Sequence, residues 1–104
     1  MKKLTINISK DFTDCPGARY YNDGDFSGQE FREKFLERNF NDYDLLEINL
    51  DGTEGYATSF LEEAFGGLAR KYTSDEVLSK VQFISFEEPN LIDEIKSYIE
   101  KVEK

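Results

Sequence analysis

Three short segments with the two-residue apolar period of a β-strand recur along the chain, and segments with a helical period separate them. The strands are predicted at residues 4–9, 43–50 and 81–86. Strands that are joined through helices are expected to be parallel, with right-handed crossovers. At 104 residues the chain is expected to be a single small α/β domain, residues 1–104.

The helices are predicted from their capping residues and their apolar spacing. Ser27 with Glu30 forms an S-x-x-E capping box at the start of a helix, and Thr73 with Glu76 repeats the pattern at residues 73–80. Pro89 suits the first turn of a last helix. Apolar side chains recur at helical spacing after the first and last of these starts: Phe31, Phe35, Leu36 and Phe40, then Leu91, Ile92, Ile95, Tyr98, Ile99 and Val102.

A further strand is predicted close to the first one. Residues 18–21 follow a Pro16–Gly17 turn and precede a second turn at Asp23–Gly24. They lie close enough to the first strand to pair with it as an antiparallel hairpin. The predicted fold is therefore a small mixed sheet, with an antiparallel first pair and then parallel strands, and with helices packed against it.

The charge of the chain limits its partners. The formal net charge is -9 and the pI is about 4.5, so the chain repels phosphate backbones and anionic lipid surfaces. No apolar run approaches the roughly 20 residues of a membrane span. We expect a cytoplasmic protein that binds neither nucleic acid nor membrane, and a protein partner with a basic patch fits best.

The chain has no histidine and a single cysteine, Cys15, which removes most catalytic and metal-binding constellations. In a chain with 22 acidic residues, acidic pairs such as Asp23/Asp25 and Glu62/Glu63 most often lie on solvent-exposed faces and do not indicate a catalytic or metal site. We therefore expect no catalytic activity, no metal and no cofactor.

A helix predicted at residues 59–72 contains two adjacent glycines, Gly66 and Gly67. Each costs roughly 1 kcal/mol relative to alanine in a helix interior. On a helical wheel they fall outside the core-facing arc and beside Phe60, Glu63 and Arg70. The pattern predicts either a smooth outer patch that a partner can approach, or a kink, or the crossing of a neighbouring helix.

The start of the same helix carries two hydroxyl groups. Ser59 with Glu62 forms a capping box, so Ser59 is predicted to cap the helix. Thr58 then lies just outside the helix, near exposed backbone N–H groups and the positive end of the dipole. An anion or a phosphoryl group is stabilised at such a position.

Two stretches, PGARYYNDGDFSGQEFREKFL and LDGTEGYATSFLEEAFGGLARKY, resemble the bacterial STAS-like domain family of unknown function. That family is similar to the STAS domains of anti-sigma-factor antagonists, in which a partner ATPase-kinase phosphorylates the first serine of an Asp-Ser-Ser-Gly-Leu loop. The loop corresponds here to residues 57–61, with Ala57 for the aspartate and Phe60 for the glycine. The resemblance implies a mixed sheet, a histidine-kinase-like ATPase or an anti-sigma-type regulator as partner, and Thr58 as the phosphoacceptor.

Two functions follow as hypotheses. The first is a non-catalytic regulatory module that binds a protein through the start and outer face of the 59–72 helix. It is switched by phosphorylation there, with Thr58 and Ser59 as the candidate phosphoacceptors. Its candidate residues are Tyr56, Thr58, Ser59, Phe60, Glu63, Gly66, Gly67 and Arg70. The alternative is a small-molecule or anion-binding domain that uses the strand ends and the same helix N-terminus, with Arg19, Asp51 and Thr53 as ligand contacts.

Overall fold

Strands and helices alternate along residues 2–102, which are the residues described by this structure, a computed structural model. The strands are β1 (Lys3–Asn7), β2 (Leu45–Asn49) and β3 (Val81–Ile84), and the helices are α1 (Ile8–Asp11), α2 (Gly28–Phe31 and Arg32–Glu37), α3 (Thr58–Leu61, Glu62–Gly66 and Gly67–Lys71), α4 (Ser74–Lys80) and α5 (Asn90–Glu100). Helices α2 and α3 each run without a break through a π-helical segment. None of the helices in this part of the chain is both long and apolar enough to span a bilayer.

The three strands form one parallel sheet in the order β1-β2-β3. Ile6 of β1 is opposite Ile48 of β2, which is in turn opposite Phe83 of β3. Because each right-handed crossover moves the chain to the next strand in the same direction, the connecting helices α2 and α3 belong on one face of the sheet. The other face carries polar side chains, with the Thr5 hydroxyl donating to Glu47 over 3.1 Å. The sheet is therefore covered on one face only.

The predicted antiparallel first pair is wrong, because residues 18–21 form no strand and every described strand pair is parallel. The Asn7 side chain accepts from the Lys10 N–H and begins α1 directly after β1, which turns the chain away from the sheet. The Ala18 carbonyl then accepts from the Gly28 N–H over 2.8 Å at the start of α2. The backbone of this segment is thus bonded to the helical layer.

The predicted helix starts and apolar stripes outside α3 are confirmed. Ser27 accepts from the Glu30 N–H at the start of α2, and Thr73 accepts from the Glu76 N–H at the start of α4. Pro89 is the N-cap residue of α5. One core cluster joins the inner sheet face to the helices, and its fully enclosed side chains include Phe31, Leu36, Leu46, Ile48, Phe60, Leu61, Phe65, Leu68, Ile95 and Ile99.

Candidate functional site

The start of α3 is exposed to solvent. The helix begins at Thr58, which is exposed, and Ala57 is its N-cap residue, without a side-chain hydrogen bond to the first turn. The predicted cap by Ser59 is wrong. The Ala57 carbonyl accepts from the N–H groups of Phe60 and Leu61, so the N-cap lies two residues earlier than expected. The first turn therefore presents Thr58 at an N-terminus that no side chain caps.

Helix α5 supplies the neighbours of Thr58. The Tyr98 phenol donates to the Glu94 carboxylate over 2.7 Å. Burial and this hydrogen bond raise the pKa of Tyr98 above its ordinary value, while a hydrogen bond with Thr58 acts in the opposite direction. Thr58 therefore lies near the phenol of a neighbouring helix, and the residue is exposed to solvent.

Four of the residues predicted for the outer face of the helix are buried. Phe60 has no exposed surface, and its ring centroid lies 6.0 Å from that of Phe31 and 6.2 Å from that of Tyr56. Glu63 is 6% exposed, and Gly66 and Gly67 are buried as well. The predicted smooth outer patch is therefore wrong, because α2 and α5 both cross over this part of α3.

An ion-pair network covers the buried glycines. We call it the α2–α3 network, and its members are Arg19, Arg32, Glu33, Glu37, Glu62, Glu63, Arg70 and Lys71. Arg32 of α2 lies at its centre and binds the Glu37 carboxylate over 2.8 Å, the Glu63 carbonyl over 3.1 Å and the Glu63 carboxylate. Four basic and four acidic side chains make the network neutral as a whole.

The two glycines leave room for this network. A Cβ atom on Gly67 would lie 2.5 Å from Nη1 and 3.1 Å from Cδ of Arg32. A Cβ atom on Gly66 would lie 2.8 Å from a carboxylate oxygen of Glu62. The glycine pair therefore lets side chains of the same domain lie flat against the helix. Arg32 is the residue that sequence reasoning missed, since nothing in its local pattern distinguishes it from a solvated helix face.

The electrostatics of the network follow from its pairing. Burial lowers the pKa of Arg32, but hydrogen bonds to Glu63 and Glu37 outweigh it, so that the pKa is raised. Hydrogen bonding by Arg70 lowers the pKa of Glu62; burial opposes this and Arg19 adds to it. Arg32 and Glu62 are therefore each held in the ionised form by their partners in the network.

Part of the predicted face remains accessible beside the network. Arg70 is exposed, and with Glu62 it lines a groove of about 360 Å³ against α5. The other lining residues are Tyr98, Lys101 and Val102, and we call this the α3–α5 groove. Tyr98 lines the groove and lies near Thr58, so the exposed start of α3 is next to the groove.

A second depression lies at the carboxyl ends of β2 and β3, and we call it the carboxyl-edge cleft. It measures about 300 Å³ and is lined by Leu50, Asp51, Thr53, Glu54, Gly55, Tyr56, Ser85, Glu87, Glu88 and Leu91. Asp51 accepts from the N–H groups of Phe86 and Glu87, each over 3.0 Å, and so fixes the loop after β3. Tyr56 donates to the Leu50 carbonyl over 2.7 Å, and burial raises its pKa to about 12.

The residues predicted to contact a small molecule or an anion are not brought together. Asp51 and Thr53 line the cleft, whereas Arg19 does not. The Arg19 guanidinium binds Glu62 over 2.6 Å, and this hydrogen bond raises the pKa of Arg19. The cleft therefore has carboxylates where an anion site needs cations.

Cys15 lies beside Asp14 and Glu54, and these are three exposed groups whose ligand atoms lie within 4.8 Å of one another. The thiol donates to Glu54 over 2.6 Å, and this hydrogen bond, with burial and the nearby carboxylates, raises the pKa of Cys15 to about 11. A raised pKa disfavours the thiolate, which is the nucleophilic form.

The comparisons with known proteins give one result. A family model described as a STAS-like domain of unknown function (DUF4325) matches residues 27–91. No curated protein and no solved structure matches the chain significantly. The match covers α2, β2, α3, α4, β3 and the start of α5, and with them the lining of the carboxyl-edge cleft. Tyr98, Lys101 and Val102 of the α3–α5 groove lie beyond it. The chain therefore belongs to the STAS-like domain family of unknown function.

Proposed function

We propose that this domain is a non-catalytic regulatory module that binds a protein partner along the α3–α5 groove and is switched by phosphorylation of Thr58. The observation that carries the proposal is the position of Thr58. Its hydroxyl is exposed on the first residue of α3, and Ala57 offers the first turn no capping side chain. The partner is a histidine-kinase-like ATPase or an anti-sigma-type regulator.

The position suits a phosphoryl group on physical grounds. A phosphate at a helix N-terminus accepts from free backbone N–H groups and is stabilised by the dipole. It adds about -1.5 to -2 charges, near Tyr98 and one turn before Glu62. The domain tolerates this charge at the dipole, whereas a partner with an acidic or apolar surface in the groove does not.

The alternative function, an anion-binding domain at the strand ends, has less support. Arg19 is paired with Glu62, and the carboxyl-edge cleft is lined by carboxylates. We therefore propose the interaction module as the function, and the strand ends do not suit an anion.

The test of the switch is incubation with a histidine-kinase-like ATPase and ATP, followed by intact-mass measurement and mapping of the phosphate. We expect one added phosphate, its loss in Thr58→Ala and its retention in Ser59→Ala. Ser59 is the matched control because it is the adjacent hydroxyl and is partly buried. A phosphate that maps to Ser59, or none with any such ATPase, would overturn the phosphorylation part.

The test of the surface is partner binding after charge reversal in the groove. Lys101→Glu changes an exposed residue that lines the groove, and Lys10→Glu makes the same change at an exposed position on α1. We expect the first change alone to weaken binding of the partner. Equal binding of both variants would contradict the groove as the docking surface.

A further inference from the structure

The carboxyl-edge cleft has an acidic rim and a smaller apolar part in its lining. Leu50, Tyr56 and Leu91 contribute apolar atoms to its lining, and all three belong to the core or pack against it. In open α/β sheets, ligands bind in the crevice outside the carboxyl ends of the strands. The cleft lies at this edge, formed by the loops that follow β2 and β3.

The charge of the rim is not balanced. Asp51, Glu54, Glu87 and Glu88 line the cleft, and no lysine or arginine of the described chain does. The donors to these carboxylates are neutral groups, namely backbone N–H groups for Asp51 and Glu87 and the Cys15 thiol for Glu54. The α2–α3 network, by contrast, pairs every carboxylate with a cation. The cleft therefore retains a negative charge that a cationic group complements.

An aromatic side chain stands next to this rim. Phe86 is 85% exposed, the largest fraction among the exposed large apolar residues of the described chain. Its backbone N–H donates to both carboxylate oxygens of Asp51, so the ring projects from a loop that is held in place. Phe86 does not itself line the cleft but lies in the chain between Ser85 and Glu87, which do. An exposed aromatic ring on this anchored loop suits contact with a guanidinium or an ammonium group through its face.

We infer that the carboxyl-edge cleft docks a lysine- or arginine-containing segment of a protein partner, with Phe86 covering the bound side chain. The apolar atoms of the lining contact the aliphatic stem of the basic residue, and the rim carboxylates bind its charged head. This inference rests on the proposed function only in that the bound partner is a protein, and phosphorylation has no part in it. The acidic character of the rim excludes a nucleic-acid partner at this place.

The test uses the full chain and a fluorescent octapeptide in which arginine and glycine alternate, with binding measured by fluorescence anisotropy. The same peptide with glutamate in place of arginine is the probe control. We expect saturable binding of the arginine peptide alone. Glu87→Gln with Glu88→Gln is expected to weaken it by about tenfold or more, since the amides retain acceptor oxygens but remove two rim charges. Phe86→Ser, a change at an exposed position, is expected to weaken it several-fold.

The matched control removes two charges elsewhere. Asp93→Asn with Glu100→Gln changes two exposed positions on α5 and leaves the net charge equal to that of the rim variant. We expect this control to bind nearly as well as the unmodified chain. If the two double variants weaken binding equally, net charge alone explains the effect and the inference is overturned. The absence of saturable binding would overturn it as well. The assay contains neither ATP nor a kinase, so its failure leaves phosphorylation of Thr58 intact, and the failure of phosphorylation leaves this assay intact.

Discussion

The two halves of α3 differ although they belong to one continuous helix. The first turn is open, with Thr58 exposed and no side-chain cap. The later turns are closed, with Glu63, Gly66 and Gly67 buried under α2, α5 and the α2–α3 network. A wheel diagram places parts of both halves on the same outer face. The difference shows that solvent exposure along this helix depends on the elements that pack across it. These elements, α2 and α5, come from other parts of the chain.

We expect the largest loss of stability when the buried Arg32–Glu63 ion pair in the closed half of α3 is broken. Glu63→Ala removes the carboxylate that Arg32 binds and leaves a guanidinium with 14% side-chain exposure short of a partner. Breaking a buried pair from one side is costly, and we expect a loss of about 3 kcal/mol in the free energy of unfolding. Urea denaturation measures it.

Glu33→Ala is the control, since Glu33 pairs with the same Arg32 over 3.7 Å but has 40% side-chain exposure. We expect this change to cost less than about 1 kcal/mol. Similar losses for the two variants would show that burial does not distinguish the two pairs.

A smaller effect separates the two glycines. Gly67→Ala forces the Arg32 side chain to shift while Glu37 and Glu63 hold it, so overpacking outweighs the gain in helix propensity. We expect a net loss of about 1 kcal/mol. Gly66→Ala meets only the end of the flexible Glu62 side chain, and we expect no loss or a gain of up to about 1 kcal/mol. Thermal and urea unfolding of both variants measure the difference, and a reversed order would contradict the account of Gly67.

The smallest effect concerns pH. The folded-state pKa of Glu62 is lowered from its ordinary value of 4.5, chiefly by Arg70. Ionised Glu62 therefore contributes stability that is present above this ordinary value and is lost as the pH falls through the folded-state pKa. We expect Glu62→Gln to lose less stability than the unmodified chain between about pH 6 and about pH 3. Glu100→Gln is an exposed control on α5 and should lose as much stability as the unmodified chain over this pH range. Identical curves of stability against pH for all three proteins would show that Glu62 does not contribute to the loss.

Much of the fold could be predicted from local signals. The alternation of Leu4 and Ile6 predicted β1, and the Ser27 and Thr73 caps predicted the starts of α2 and α4, because these features act within a few residues of one another. The strand expected at residues 18–21 failed because strand pairing needs a partner strand, and the helical layer accepted this backbone instead. The cap at Ser59 failed because the helix begins at Thr58 with Ala57 as its N-cap residue, which places Ser59 inside the first turn. The Glu62 carboxylate is bound to Arg19 and Arg70 instead of to the first turn.

The sequence by itself determined the order of the three parallel strands and of helices α2 to α5, the acidic charge and the exclusion of histidine-based chemistry. These depend on residue identity and on spacing over one or two turns. The sequence did not determine α1, and it placed a strand at residues 18–21 where there is none. Only the tertiary structure decided the meaning of the Gly66–Gly67 pair, because the side chain that fills its space, Arg32, lies more than 30 residues earlier in the chain. It also decided that Phe60 belongs to the core and that Phe86 does not. Burial depends on which elements meet, and the parallel crossovers of this sheet bring α2 and α3 together.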